Sequence, residues 1–148
     1  MPKELRPWNE DISRAYVLLR VTLGLNICLH GVVRLIKGLH SFAESLVPLF
    51  AKTPLTSWIV YDFLYVLPIL EALVGAAVLF GLETRRALLA GSILMLILMF
   101  GSTLREDWPT VGIQLTYSLV YCILIAGVQF DGFGIDRLKR YILAKQIL

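Results

Sequence analysis

The chain has 148 residues, of which 57% are hydrophobic and only 17% charged, and its formal net charge is +3. Because a soluble domain is about half apolar and about a quarter charged, this composition argues against a soluble enzyme domain and against a disordered or fibrous protein. Two cysteines, Cys28 and Cys122, are too few for a disulfide scaffold. The sequence therefore predicts one compact membrane domain, and we interpret the positive charge as a signal of membrane orientation rather than of nucleic-acid binding.

Four apolar segments are long enough to cross a membrane, since one spanning helix needs about 20 residues. They comprise residues 15–36, 59–82, 87–104 and 111–130. Backbone in hydrocarbon must satisfy its own hydrogen bonds, so all four are predicted to be helices. Residues 81–86 and 105–110 form short links, which make the joined helices antiparallel neighbours. The predicted fold class is all-α, an integral membrane four-helix bundle.

The connection between the first two spans, residues 37–58, carries a different helix signal. Ser41 and Glu44 have the spacing of a capping box, in which two side chains satisfy the free amides of a helix start. Apolar residues then fall near one face: Leu39, Phe42, Leu46 and either Leu49 or Phe50. This pattern predicts a short amphipathic helix on the membrane surface, broken by Pro48 or Pro54.

The C-terminal segment, residues 135–148, mixes apolar residues with four basic ones. It is predicted to be an interfacial helix held by its apolar face and by anionic membrane lipids, with a simple basic tail as the alternative.

The distribution of Lys and Arg predicts orientation, because basic residues concentrate on the cytoplasmic side. One side holds nine of the 14 and the other side four, and Arg20 lies inside the first span. The nine are Lys3, Arg6, Arg14, Arg85, Arg86, Arg137, Lys139, Arg140 and Lys145, and the four are Arg34, Lys37, Lys52 and Arg105. We therefore expect a multi-pass protein of the cell membrane with both termini in the cytoplasm.

Polar residues inside the first span fall on one stripe. The four are Arg20, Asn26, His30 and Arg34. At about 100° per residue they share an arc of about 120°. Because lipid offers polar groups no partners, the stripe is predicted to face the bundle interior, with Arg20 able to snorkel to the cytoplasmic surface.

Polar residues of the other spans are expected at matching depths. The helical rise places Asp62 near the outer face, level with Arg34, and Glu71 near mid-membrane, roughly 18 Å below the outer end of its helix. Tyr117 is expected close to the level of His30. Three residues share one face of the fourth span: Gln114, Tyr117 and Tyr121.

These residues together predict a membrane-embedded pocket that opens toward the outer half. Its predicted lining is Asn26, His30, Arg34, Glu71, Gln114, Tyr117 and Tyr121. Such a pocket suits a quinone, whose carbonyls need hydrogen-bond donors and whose ring and tail need apolar walls. Quinone reduction takes up protons, so Glu71 and His30 are the predicted catalytic groups. The residues predicted to bind the quinone are Asn26, His30, Arg34, Gln114, Tyr117 and Tyr121. The alternative is that Glu71 only fixes helix register, by pairing with a polar residue of the first span: Arg20, Asn26 or His30.

The sequence contains no metal-ligand spacing and no haem or flavin motif, so the quinone is the only cofactor predicted.

Several short motifs resemble DoxX-type membrane proteins over about residues 14–136. They are Leu18-Leu19-Arg20, Leu23-Gly24, His30-Gly31-x-x-Arg34, Pro68-x-x-Glu71, Gly75, Gly81-Leu82-x-Thr84-Arg85-x-Ala87, Asp107-Trp108 and Gln114-Leu115-x-Tyr117. The resemblance implies a four-helix integral membrane protein. Because that family includes the larger membrane subunit of a thiosulfate:quinone oxidoreductase, it also makes quinone-linked electron transfer the leading hypothesis. Arg34 stands where many relatives have Lys, which keeps the charge but changes the donor geometry.

Two other functions compete with a quinone-binding subunit. A non-catalytic scaffold or assembly subunit of a redox complex would use the third span, which is uncharged and rich in small residues, as a docking face. A small-solute or proton carrier would use the intramembrane His30 and Glu71, and would need a dimer because the chain has no inverted repeat. The expected partners are a redox subunit or a second copy of the chain.

Overall fold

The computed structural model describes residues 7–146, and within that range the chain is helical and contains no β-strand. The six α-helices are α1 (Pro7–Lys37), α2 (Leu39–Leu46), α3 (Ser57–Phe80), α4 (Thr84–Leu104), α5 (Trp108–Ala126) and α6 (Ile135–Gln146). A 3-10 turn follows α2 (Val47–Phe50) and another follows α5 (Val128–Phe130). Helices α1, α3, α4 and α5 are long and apolar enough to cross a membrane, so the predicted all-α membrane bundle is confirmed.

Helix α1 begins at Pro7, eight residues before the predicted start. In these extra turns Glu10, Asp11 and Arg14 are exposed, and Arg14 pairs with Glu10 across one turn at 3.2 Å. Such i,i+4 pairs support helix in water, so the helix continues beyond the apolar segment that predicted it. The fourth span ends earlier than predicted, at Ala126, because Gly127 leads into the 3-10 turn.

Helices α1 and α3 run antiparallel and form the most extensive contact among the described helix pairs. Three glycines lie directly on the partner backbone: Gly24 on Leu79, Gly31 on Ala72 and Gly75 on Cys28. A Cβ at any of them would collide with that backbone, so the glycines allow a close approach of the two helices. This register brings Arg34 to Glu71, nine residues along α3 from Asp62. The expectation that Arg34 is level with Asp62 is therefore wrong.

Helices α4 and α5 also pack closely, and α3 contacts α4, whereas α1 and α5 touch only lightly. Tyr121 of α5 is 1% exposed and its ring lies on Gly91 of α4, where any side chain would overlap it. The main core contains apolar residues of all four spans: Tyr16, Leu23, Ile27, Val78, Ala87, Leu88, Met95, Tyr121 and Leu124. The spans therefore form a ring in the order α1, α3, α4, α5.

The predicted amphipathic helix after the first span is present as α2, and it ends before Pro48. The predicted capping box is wrong. Helix α2 begins at Leu39 rather than at Ser41, and its N-cap is Gly38, with φ at 101° and no side-chain cap. A positive φ favours glycine, so the sharp turn from α1 into α2 sets the helix start instead of a serine. We call this end of the bundle the α2 end.

The opposite end, which we call the α6 end, is closed by Arg20. Its guanidinium donates hydrogen bonds to three carbonyls and lies 3.5 Å from Asp131. The acceptors are Val78 at 2.5 Å, Leu79 at 2.8 Å and Phe133 at 2.5 Å. The expectation that Arg20 snorkels to the surface is wrong, because it is 2% exposed and both of its Nη atoms donate to carbonyls inside the protein.

Helix α6 is anchored to the start of α4 by Asp136. Its carboxylate accepts hydrogen bonds from the amides of Glu83 at 2.9 Å and Thr84 at 2.8 Å. Partial burial by itself raises the pKa of Asp136, but the hydrogen bonds from Thr84 and Glu83 and the charge of Lys139 hold it below its ordinary value. The predicted C-terminal helix is thus present, with Leu138, Ile142 and Leu143 exposed.

Candidate functional site

A half-open cavity of about 370 Å³ lies at the α2 end, between α2 with its 3-10 turn and the spans α3, α4 and α5. Its polar lining is Arg34, Glu71, Ser102, Arg105, Thr110 and Gln114. Its apolar lining includes four phenylalanines, Phe42, Phe50, Phe63 and Phe100, and aliphatic residues of α2, α3 and α4. A mostly apolar cavity of this size with a few convergent polar groups is the usual form of a small-molecule site.

Glu71 forms the most buried charged group of this lining. It is 4% exposed, and Arg34 of α1 donates hydrogen bonds to both of its carboxylate oxygens, the Oε1 bond measuring 2.6 Å. The Arg34 guanidinium also lies 4.7 Å from the centre of the Phe42 ring, a cation–π distance. The alternative in which Glu71 pairs with Arg20, Asn26 or His30 is therefore corrected, because its partner is Arg34.

Gln114 reaches the cavity from α5, as predicted. Its Nε2 donates to Ser102 Oγ of α4 at 3.0 Å, while its Oε1 is buried without a hydrogen-bond partner among residues 7–146. A buried acceptor left without a donor costs free energy, so this oxygen is available to a ligand.

Arg105 is a site residue that the sequence reasoning missed. Its side chain pairs with Asp107 at 2.9 Å and lies 5.0 Å from the centre of the Phe50 ring, while its Nε is buried and has no hydrogen-bond partner in the described part of the chain. Hydrogen bonding to the Thr110 side chain, assisted by the Thr110 amide and by Arg105, lowers the pKa of Asp107. The signal in the sequence is the Arg-x-Asp spacing of Arg105 and Asp107 in the link between the third and fourth spans.

Asn26 and Tyr117 come together elsewhere. The Tyr117 hydroxyl donates to Asn26 Oδ1 at 2.9 Å, and both line a shallow groove between α1 and α5 rather than the cavity. Tyr117 was expected at the level of His30, but it contacts Asn26, which lies one helical turn before His30 in α1.

His30 lies outside the bundle. Its ring is exposed, and Nδ1 is 2.9 Å from the carbonyl of Asn26 in its own helix. The expectation that His30 faces the interior is wrong because α3 packs on Gly31, which lies about 100° away from His30 around α1. His30 lines an open groove with Lys37, and that groove shares Arg34 and Phe42 with the cavity.

Tyr121 is placed in the core between α4 and α5, and its hydroxyl is buried without a hydrogen-bond partner among the described residues. The seven predicted site residues are therefore divided. Arg34, Glu71 and Gln114 line the cavity, Asn26 and Tyr117 line the groove between α1 and α5, His30 faces outward and Tyr121 lies in the core.

Comparison with known proteins returns no match: no protein-family model, no curated protein and no solved structure matches this chain. The evidence on function therefore comes from the sequence and the structure of this chain.

Proposed function

We propose that this chain is a membrane subunit of a quinone-linked oxidoreductase and that it binds the quinone head group in the cavity at the α2 end. The observation that supports this most directly is the composition of the cavity lining. Hydrogen-bonding groups of Arg34, Arg105 and Gln114 lie within a lining that is otherwise aromatic and aliphatic. A quinone fits that combination, because its ring is apolar and its carbonyls would accept hydrogen bonds from Arg34 and Arg105. Gln114 Oε1 would accept a hydrogen bond from a hydroxyl of the reduced form, since Gln114 Nε2 already donates to Ser102.

The head group would take its hydrogen bonds from groups that the protein leaves unused. Arg34 uses Nη1 for Glu71, and Arg105 Nε is buried without a partner among residues 7–146. The rings of Phe42 and Phe50 already face these two guanidinium groups, and they would stack against a planar ring. Binding would therefore satisfy polar atoms that are otherwise buried at a cost.

Protons would pass through Glu71, which as a carboxylate paired with Arg34 carries none itself and would take each one from water before giving it to the reduced head group. A bound quinone accepts two electrons and two protons, and the electrons would be delivered by a redox partner subunit. Glu71 is the buried carboxyl group of the lining, and Arg34 holds it in place. Of the two predicted catalytic groups, Glu71 therefore remains part of the proposal. His30 does not, because it does not line the cavity.

The resemblance to DoxX-type proteins supports the same proposal. The segment His30-Gly31-x-x-Arg34 and the segment Pro68-x-x-Glu71 carry that resemblance, and each ends in one partner of the ion pair at the cavity. The excess of Lys and Arg at the α6 end supports an orientation with both termini in the cytoplasm, which would place the cavity in the outer half of the cell membrane. The exposed apolar residues and basic residues of α6 would then meet anionic lipids at the inner surface.

The proposal is tested by purifying the protein in mild detergent, extracting it with organic solvent and quantifying quinone per protein by mass spectrometry. Near-stoichiometric quinone is expected in the wild type. Gln114→Leu is expected to lose most of it, because the substitution removes the Oε1 acceptor for the reduced head group and leaves Ser102 without its hydrogen-bond donor. Gln129→Leu is the matched control, because Gln129 is exposed and does not line the cavity.

Quinone no higher than the lipid background in the wild type would overturn the proposal. In that case a stable complex with another membrane protein would favour the scaffold alternative, and Glu71-dependent flux in proteoliposomes would favour the carrier alternative.

A further inference from the structure

The cavity is open on one side, and the opening lies between α3 and α4. Three of its lining residues are well exposed: Ile59 at 44%, Ile97 at 46% and Phe100 at 60%. In contrast Glu71 and Ser102, which belong to the polar lining, are almost fully buried. The cavity therefore has a polar inner part and an apolar outer margin.

The arrangement of the helices explains the opening between α3 and α4. The short turn at Gly81 holds α3 and α4 together at the α6 end, while α4 turns its buried face toward α5 through Gly91 and Ser102. At the α2 end the Phe50 ring reaches α4, within 3.6 Å of where a Cβ at Gly101 would lie. The 3-10 turn thus packs at the end of the α3–α4 contact, and the cavity extends from it to the surface of the spans.

The charges of the lining favour a ligand with an uncharged head. Each cation is already paired with a carboxylate, Arg34 with Glu71 and Arg105 with Asp107. An acidic head group, such as that of a fatty acid, would have to displace one of these carboxylates or remain unpaired, which costs free energy in a region of low dielectric constant. A neutral carbonyl needs only a donor.

We propose that the ligand is a long-tailed, membrane-soluble quinone whose tail leaves the cavity between α3 and α4, past Ile97, into the lipid. This inference deepens the proposed function and rests on it. The quinone enters sideways from the membrane, its head reaches the polar inner part, and its tail stays in contact with Ile59, Ile97 and Phe100. The tail contributes apolar burial that a tailless quinone lacks.

The test uses two tryptophan substitutions on the same face of α4. Ile97→Trp places a large ring in the opening, whereas Ile93→Trp places it one turn away, where Ile93 is 58% exposed and does not line the cavity. The Kd of a quinone with a long isoprenoid tail and the Kd of a tailless quinone with the same head are measured in lipid nanodiscs.

Ile97→Trp is expected to raise the Kd of the long-tailed quinone by about tenfold and that of the tailless one by less than about twofold. Ile93→Trp is expected to change neither. An unchanged Kd of the long-tailed quinone in Ile97→Trp would overturn the tail route, and so would an equal loss of both quinones, because the ring would then be disturbing the head site or the fold.

A second measurement is independent of quinone. Phe63→Trp, in a background with Trp8, Trp58 and Trp108 replaced by Phe, places a reporter in the cavity. Lipids brominated on their tails are expected to quench it, as they would quench a reporter at Ile93→Trp on the outer face of α4, because Phe63 lines the laterally open cavity.

The two measurements separate the tail route from the proposed function. Negligible quenching of the Phe63→Trp reporter would show that lipid does not reach the cavity and would overturn the tail route, even if a quinone binds. Quenching without binding of either quinone would overturn the proposed function and the identity of the ligand, while the opening itself would stand.

Discussion

Arg34 of α1 donates hydrogen bonds to both carboxylate oxygens of Glu71 of α3, and this ion pair lies at the cavity between α2 and the bundle. The contact joins the two helices that pack most extensively, and it also fixes the buried carboxyl group of the lining. It therefore joins α1 to α3 and also forms part of the cavity lining.

Removal of one partner of this pair is expected to cost more than removal of both. Arg34→Met leaves the Glu71 carboxylate buried without its cation, which we expect to lower the free energy of unfolding by about 2–3 kcal/mol, less than for a fully buried pair because Arg34 is 28% exposed. The double variant Arg34→Met, Glu71→Leu is expected to recover most of that loss. A double-mutant cycle of thermal unfolding in one detergent measures the coupling, and additive effects would contradict the pairing.

The close approach of α1 and α3 is expected to depend on Gly75. Gly75→Ala would put a Cβ into the backbone of Cys28, so the helices must separate and the unfolding temperature should fall. Gly112→Ala is the matched control, since a Cβ there has nothing within 4 Å. In the control, the lower entropy of the unfolded alanine chain is expected to stabilise the protein by about 0.5–1 kcal/mol. Equal effects of both substitutions would mean that the register does not depend on this contact.

Arg20 is expected to be irreplaceable by lysine. A single ammonium group cannot reach the carbonyls of Val78, Leu79 and Phe133 while staying near Asp131, so Arg20→Lys should leave buried acceptors unpaired and cost about 2–4 kcal/mol. Hydrogen exchange of the segment around Phe133 should become faster. Arg85→Lys, at an exposed position, is the control, and protection that stays unchanged in Arg20→Lys would contradict the anchoring role.

The attachment of α6 to α4 is expected to weaken in acid. Because hydrogen bonds from Thr84 and Glu83 outweigh burial, the pKa of Asp136 is lower in the folded protein than its ordinary value of 3.8. The stabilisation is therefore complete above that ordinary value and is lost as the pH falls through the lower, folded pKa. Hydrogen exchange of the Thr84 amide, compared between pH 6 and about pH 3, should show this loss.

Asp136→Asn provides the control for that experiment, because an amide side chain does not titrate in this range. The variant should show weaker protection of Thr84 at both pH values and no Asp136-dependent step between them. A step of the same size in the variant would assign the pH dependence to another group.

His30→Ala is expected to leave the amount of quinone bound in the cavity unchanged. The His30 side chain is exposed and does not line the cavity, so its removal takes away no contact there. The extraction and mass spectrometry of quinone described above measures this directly. Loss of quinone in His30→Ala but not in Gln114→Leu would place the ligand in the groove along α1 instead.

Much of the secondary structure was predictable because the signals are local. Four long apolar segments predicted four spans, since a chain in hydrocarbon must satisfy its backbone within each helix. The amphipathic α2 followed from the spacing of Phe42 and Leu46, although its start did not, because Gly38 with its positive φ sets that boundary. Helix α1 extends further than its apolar segment because exposed charged residues also support helix.

The site was predicted only in part. Arg34, Glu71 and Gln114 reach one cavity, as the cost of polar groups in lipid suggested. Arg105 was missed because it lies at the end of a span, where a basic residue usually indicates only orientation.

The sequence by itself determined how many helices are long and apolar enough to cross a membrane and which of their polar residues need partners. The tertiary structure alone decided which partners they find. Glycines at positions 24, 31 and 75 let α1 and α3 come into backbone contact at one register, and that register turns Arg34 toward Glu71 and His30 away from the interior. The hydropathy of a segment predicts where a span begins and ends. The face that a helix presents to its neighbour depends instead on how the two helix surfaces fit together, and the residues that decide this fit lie far apart in the chain.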